Sequence, residues 1–121
     1  MNYNSYYRST NKNDSKRRYV MSVINVTNEN IEEIKKSDKK VLLDFFATWC
    51  GPCQMVSPLV DEIAEEHPEF TVGKIDIDDE QDLAEEFGVM SIPTLVVLKD
   101  GEIVTKHVGA LSKARILELL Q

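Results

Sequence analysis

An α/β fold with a central mixed β-sheet flanked by helices on both faces is predicted by three features of the sequence. Apolar runs of strand length (41–47 and 70–77) alternate with segments of helical periodicity (51–66 and 80–87). The alternation then breaks: strand-like runs at 94–98 and 103–108 flank Lys99-Asp100-Gly101-Glu102, a hairpin signal, and one more helical pattern follows. Finally, the only two cysteines, Cys50 and Cys53, lie three positions apart around Gly51-Pro52, where a strand pattern gives way to a helical one.

Taken in order, Val23-Ile24-Asn25-Val26 reads as a short strand. Asn28 is placed to cap a helix reaching about Lys36, with Ile31 and Ile34 turned inward. Residues 41–47 are apolar on both parities except at Asp44, the pattern of a strand buried on both faces. Along 51–66, Met55, Val56, Leu59, Val60 and Ile63 form one stripe, while Asp61, Glu62, Glu65 and Glu66 face outward. Pro58 inside that helix predicts a kink, since it removes a backbone donor and crowds the preceding turn. Residues 70–77 alternate as a strand, and 80–87 form a short acidic helix stopped near Gly88. Ser112 caps the last helix, whose Ile116, Leu117 and Leu120 point to the core.

The chain has 121 residues and 42% apolar content, enough for one packed domain without disulfide staples. No apolar run approaches the roughly 18 residues of a membrane span. Residues 1–20 stand apart. They hold all four tyrosines and five basic residues (Arg8, Lys12, Lys16, Arg17, Arg18) against Asp14 alone. This segment has too little apolar surface to offset the entropy of ordering, so it is expected to be a disordered N-terminal extension or tag. Its basic composition also fits an organellar transit peptide, although no apolar stretch of a secretory signal is present. Residues 21–121 form the domain. The net charge of −7 combines +4 on residues 1–20 with −11 on the rest, and an acidic body argues against nucleic acid as a partner.

A C-x-x-C pair beside strand–helix alternation points to dithiol redox chemistry. Cys50 falls where the helix begins. The N–H groups and partial positive charge of a helix N-terminus favour a thiolate, so Cys50 is expected as a solvent-facing nucleophile. Cys53, one turn in, is expected to be more buried and to resolve the mixed disulfide. Zinc is the alternative for such a pair, but a structural site needs about four ligands. Only His67 and His107 could add to the cysteines, and neither belongs to a paired motif. Both histidines read as surface residues, and Met55 reads as core.

Trp49-Cys50-Gly51-Pro52-Cys53, with Asp44-Phe45-Phe46-Ala47 before it, and Ser91-Ile92-Pro93-Thr94, Lys99-Asp100-Gly101 and Val108-Gly109-Ala110 after it, resembles the thioredoxin family in order and spacing. The resemblance spans 21–121 and implies the thioredoxin fold. It implies a protein-disulfide reductase working through Cys50 and Cys53, with Asp44 as proton acceptor for Cys53 and Lys74 facing that carboxylate. Burial should raise the pKa of Asp44. The resemblance further implies a cis bond before Pro93. It also implies an apolar partner-binding patch of Trp49, Gly51, Pro52, Ile92, Pro93, Val108, Gly109 and Ala110. Phe46 stands where relatives often carry Trp, and Thr48 and Gln54 replace charged residues common among them. Thioredoxin reductase is the implied electron source. Ribonucleotide reductase, methionine sulfoxide reductase and peroxiredoxin are the implied acceptors. A monomer in the cytoplasm, with no bound cofactor and no membrane or nucleic-acid partner, completes the expectation. A thiol oxidase or isomerase and a non-redox structural clamp are the rival readings. The Gly-Pro pair speaks against the first, and the intact cysteines with Asp44 against the second.

Overall fold

The computed structural model describes residues 22–121, so the expectation for residues 1–20 lies outside the described residues. The elements run β1 (Val23–Asn25), α1 (Ile31–Lys35), β2 (Lys40–Phe46), α2 (Gly51–Glu66), β3 (Phe70–Asp76), α3 (Gln81–Glu86), β4 (Thr94–Lys99), β5 (Glu102–Val108) and α4 (Lys113–Leu119). The strand order is β1-β3-β2-β4-β5. β1, β3 and β2 are parallel, whereas β4 and β5 are antiparallel. This is the mixed sheet the sequence predicts. Each expected element is present, with boundaries moved by about a residue except at α1, which starts at Ile31 and not directly after Asn28.

Side-chain alternation along β2 divides the core. Val41, Leu43 and Phe45 join Ile31, Ile34, Leu83 and Phe87 on the α1/α3 face. Leu42 joins Val56, Val60, Ile63, Ile116 and Leu120 on the α2/α4 face. Successive side chains of a strand point to opposite faces, so Asp44, two residues beyond Leu42, shares the α2/α4 face. Val72 of β3 also packs in that cluster, which puts Lys74 on the same face. The register sets Asp44 directly beside Lys74.

The hairpin between β4 and β5 turns through Asp100 and Gly101, with φ of 54° and 82°. Positive φ at both central residues matches the right-handed strand twist, and Asp-Gly is the pair that tolerates it. At the other edge of the sheet, Gly73 permits a close approach: a Cβ there would meet Val26 Cγ2 at 2.5 Å.

Three expectations are corrected. Asn28 does not cap α1; its N–H donates to Glu80 Oε1 at 3.1 Å. Asn30 occupies the cap position. Its buried side chain accepts from the Thr27 N–H at 2.8 Å and donates to the Asn25 carbonyl at 2.9 Å, joining the end of β1 to the start of the helix. Met55 is not core but 69% exposed, because the buried stripe of α2 runs through Val56, Val60 and Ile63 and is narrower than the periodicity suggested. Asp61 does not simply face water; it pairs with Lys74. Among the described residues, no helix is long and apolar enough to cross a membrane.

Candidate functional site: a dithiol at a helix N-terminus

β2 delivers the chain to the N-terminal end of α2, and the two cysteines sit at that junction. Cys50 is the N-cap residue, with extended backbone angles, and its sulfur accepts from the Cys53 N–H at 3.2 Å. The motif thus places a helix-end donor on the sulfur expected to carry charge. Cys50 and Cys53 are joined as a disulfide, their Cα atoms 5.3 Å apart. Cys50 is 6% exposed and Cys53 3%. The order is the expected one, but Cys50 is far less open than a solvent-facing nucleophile. In this closed form the pair clusters with Ala47, and Phe46, Ile77 and Ile92 pack against it.

The surrounding surface assembles residues from three chain regions. Trp49 is 68% exposed, and its indole N–H donates to Asp78 Oδ2 at 2.8 Å. Gly51 and Pro52 are exposed, and nothing lies within 4 Å of where a Gly51 Cβ would stand. The Ile92–Pro93 peptide bond is cis. Ile92 is half-buried against the cysteines, and Pro93 is buried. The Gly109 N–H donates to the Pro93 carbonyl at 2.8 Å, which ties the end of β5 to the proline loop. The Thr94 hydroxyl donates to the Ser91 carbonyl at 2.6 Å and braces the same loop. Val108 and Ala110 are exposed beside this tie. All eight residues expected in the apolar patch therefore lie on the segments that meet at the disulfide end of the sheet.

Behind this surface sits Asp44, 1% exposed. Among the described residues, neither of its carboxylate oxygens has a hydrogen-bond partner. Burial pushes its pKa up to about 7; the positive charge of Lys74 draws it down and the negative charge of Asp61 raises it. Lys74 is Asp44's neighbour in register, yet its ammonium goes elsewhere. It lies 2.7 Å from Asp61 Oδ1 and donates to Ser57 Oγ at 2.5 Å. Asp44 thus feels the lysine's field without a direct bond. Sequence reasoning missed Ser57, Asp61 and Asp78. The spacing Cys53–Ser57–Asp61, i to i+4 to i+8 along one side of α2, was the available signal for the first two. Asp78 carried none, since its role depends on where β3 ends beside Trp49.

Among the described residues, no group of three or more His, Cys, Asp or Glu is placed to hold a metal ion. His67 lies 2.9 Å from Glu69 and His107 is half-buried on β5; neither is in the cysteine cluster. The arrangement can open and close one disulfide and hold a proton on a buried carboxyl nearby.

The thioredoxin family model matches residues 22–121. A thioredoxin of Pseudomonas aeruginosa is 42% identical over 100 residues, covering 81% of this chain and 93% of that protein. A bifunctional thioredoxin reductase/thioredoxin of Mycobacterium leprae is 48% identical over 86 residues, covering 70% of this chain and 19% of that protein. Among solved structures, a mutant thioredoxin from Halobacterium salinarum superposes with a TM-score of 0.77 at 38% identity, covering 81% of this chain and 87% of that one. Family model, sequence relatives and superposed structure agree, and the chain belongs to the thioredoxin family.

Proposed function

We infer that this protein reduces disulfide bonds in other proteins by dithiol–disulfide exchange. The observation that carries the reading is Cys50 at the N-cap of α2, with the Cys53 N–H on its sulfur and Cys53 bonded to it. In the reduced form, the Cys50 thiolate attacks one sulfur of a partner disulfide. A mixed disulfide forms, and the partner's other sulfur leaves as a thiolate that takes up a proton. Cys53 then loses its proton and attacks Cys50 Sγ. The Cys50–Cys53 bond closes, and the second partner thiol is released. Two electrons pass to the partner, and no bound cofactor is required.

Asp44 supplies a proton acceptor for Cys53. It is buried on the sheet face that α2 covers, and its raised pKa lets it exchange a proton near neutrality. Lys74 tempers that carboxyl through its field. Trp49, Gly51, Pro52, Ile92, Pro93, Val108, Gly109 and Ala110 form the docking patch. The backbone beside Pro93 pairs with an extended segment of the partner as an added strand. The fused reductase of the Mycobacterium leprae relative supports a thioredoxin reductase as electron source. Ribonucleotide reductase, methionine sulfoxide reductase and peroxiredoxin are the acceptors we propose. We assign the protein to the cytoplasm as a monomer, since a dithiol reductant works in a reducing compartment.

Insulin reduction with dithiothreitol as electron source tests the reading. The wild type is expected to accelerate precipitation of the insulin B chain, and Cys50→Ser to abolish the acceleration. A wild-type protein no faster than dithiothreitol alone would overturn it.

A further inference from the structure

Beyond Cys53, α2 carries two polar side chains that the exchange mechanism does not use, Ser57 and Asp61. Cys53, Ser57 and Asp61 follow one another at i, i+4 and i+8, so they lie along one side of the helix. That side meets Lys74, whose ammonium is held by Ser57 Oγ and Asp61 Oδ1. The lysine is the register neighbour of Asp44, and the Asp44 carboxylate oxygens have no partner among the described residues. A flexible four-carbon stem beside an unpaired buried carboxyl would be expected to close an ion pair. Here it is drawn off to the helix instead.

We propose that Asp61, together with Ser57, is a positioning residue of the exchange site: it holds the Lys74 ammonium away from the Asp44 carboxyl and so leaves that carboxyl without an ion-pair partner. The inference rests on the reading of Asp44 as proton acceptor and adds what sets its proton affinity. Other charged groups around this face are engaged elsewhere. Glu62 and Glu66 of α2 bind Lys113 of α4. Arg115 of α4 pairs with Glu118. Lys40 at the start of β2 donates to the carbonyls of Leu120 and Gln121. On β4 the residue opposite Asp44 is Leu95, and on β1 the residue beside Lys74 is Asn25. Among the described residues, Lys74 and Asp61 are the two charges that act on Asp44 electrostatically. Removing Asp61 frees Lys74 to approach the carboxyl and deletes a repelling charge, so both effects favour the ionised form.

The test follows the Asp44 carboxyl by its carbon NMR titration in the oxidised protein, where the cysteines do not titrate; the signal is assigned by its loss in Asp44→Asn. Wild type, Asp61→Asn, Lys74→Gln and the double variant are compared. Asp61→Asn is expected to lower the Asp44 midpoint by about one pH unit, the size of effect a nearby opposite charge exerts on a carboxylate. In the Lys74→Gln background the same substitution is expected to move it by less than half as much. An unchanged midpoint in Asp61→Asn, or an equal shift with Lys74 absent, overturns the proposal. Should Asp61→Asn not fold, Ser57→Ala decides: a downward shift supports the proposal and no shift overturns it. The titration is independent of turnover, so a failure of insulin reduction would sink the reductase reading and leave this result standing.

Discussion

Two sulfurs with different surroundings account for an ordered exchange at the scale of single residues. Cys50 takes the helix-end N–H and is the less buried of the pair; Cys53 lies deeper, on the helix that covers the Asp44 face. Cys53→Ser is therefore expected to attack a partner and stop, accumulating a mixed disulfide visible on non-reducing gels, while Cys50→Ser accumulates none. The same gels run on Asp44→Asn should show the mixed disulfide persisting longer than in wild type. The slowing should be greatest between about pH 7, above which the Asp44 carboxyl has lost its own proton, and about pH 8, below which a thiol of ordinary pKa is mostly protonated and needs an acceptor. Trp49 illustrates a polar handle on an apolar surface: its indole face stays open because Asp78 takes the N–H.

The elements matter here through how closely they approach and how they end. Val26, just past β1, packs over β3 where residue 73 has no side chain, its Cγ2 only 2.5 Å from where a Cβ would stand. Gly73→Ala should force Val26 aside and cost about 1–3 kcal/mol, read as a lowered urea midpoint with an unchanged slope. At the start of α4, Ser112 Oγ accepts from the Arg115 N–H at 3.2 Å, so Ser112→Ala should cost about 1 kcal/mol. Neither substitution touches the disulfide, and both should leave the initial rate of insulin reduction unchanged at a temperature where the protein remains folded.

A cost is built into the whole molecule. A carboxyl whose pKa rises from 3.8 to about 7 on folding binds its proton more tightly in the native state. Its contribution to stability is complete below the unfolded pKa and is lost as pH rises through the native one. The shift of about three units corresponds to about 4 kcal/mol. Asp44→Asn should therefore be close to wild type in stability near pH 4, become progressively more stable than wild type toward pH 7, and keep a constant advantage above it. Chemical denaturation at each pH checks this. Glu66, held below its usual range by Lys113, acts in the opposite direction but is solvent-exposed, and it cancels in the comparison of variant with wild type. The fold thus gives up stability above pH 7 to keep a carboxyl buried on the face that α2 covers.

The order of strands and helices, the hairpin with its Asp-Gly turn, and the dithiol were legible in the sequence, because periodicity, turn chemistry and Cys spacing are local properties of the chain. The raised pKa of Asp44 was legible too, since a carboxylate amid Leu43 and Phe45 has nowhere to be solvated. The sequence did not reveal the exposure of Met55, which depends on how wide a stripe of α2 the sheet covers. Nor did it show that Asn30, rather than Asn28, joins β1 to α1. Above all, it placed Asp61 on the outward face of its helix. Only the tertiary structure decided that this aspartate and Ser57 take the ammonium of Lys74, leaving Asp44 without a bond. The physical reason is that a charge's partner is chosen by distance between elements far apart in the chain, and no pattern within one helix or one strand records that distance.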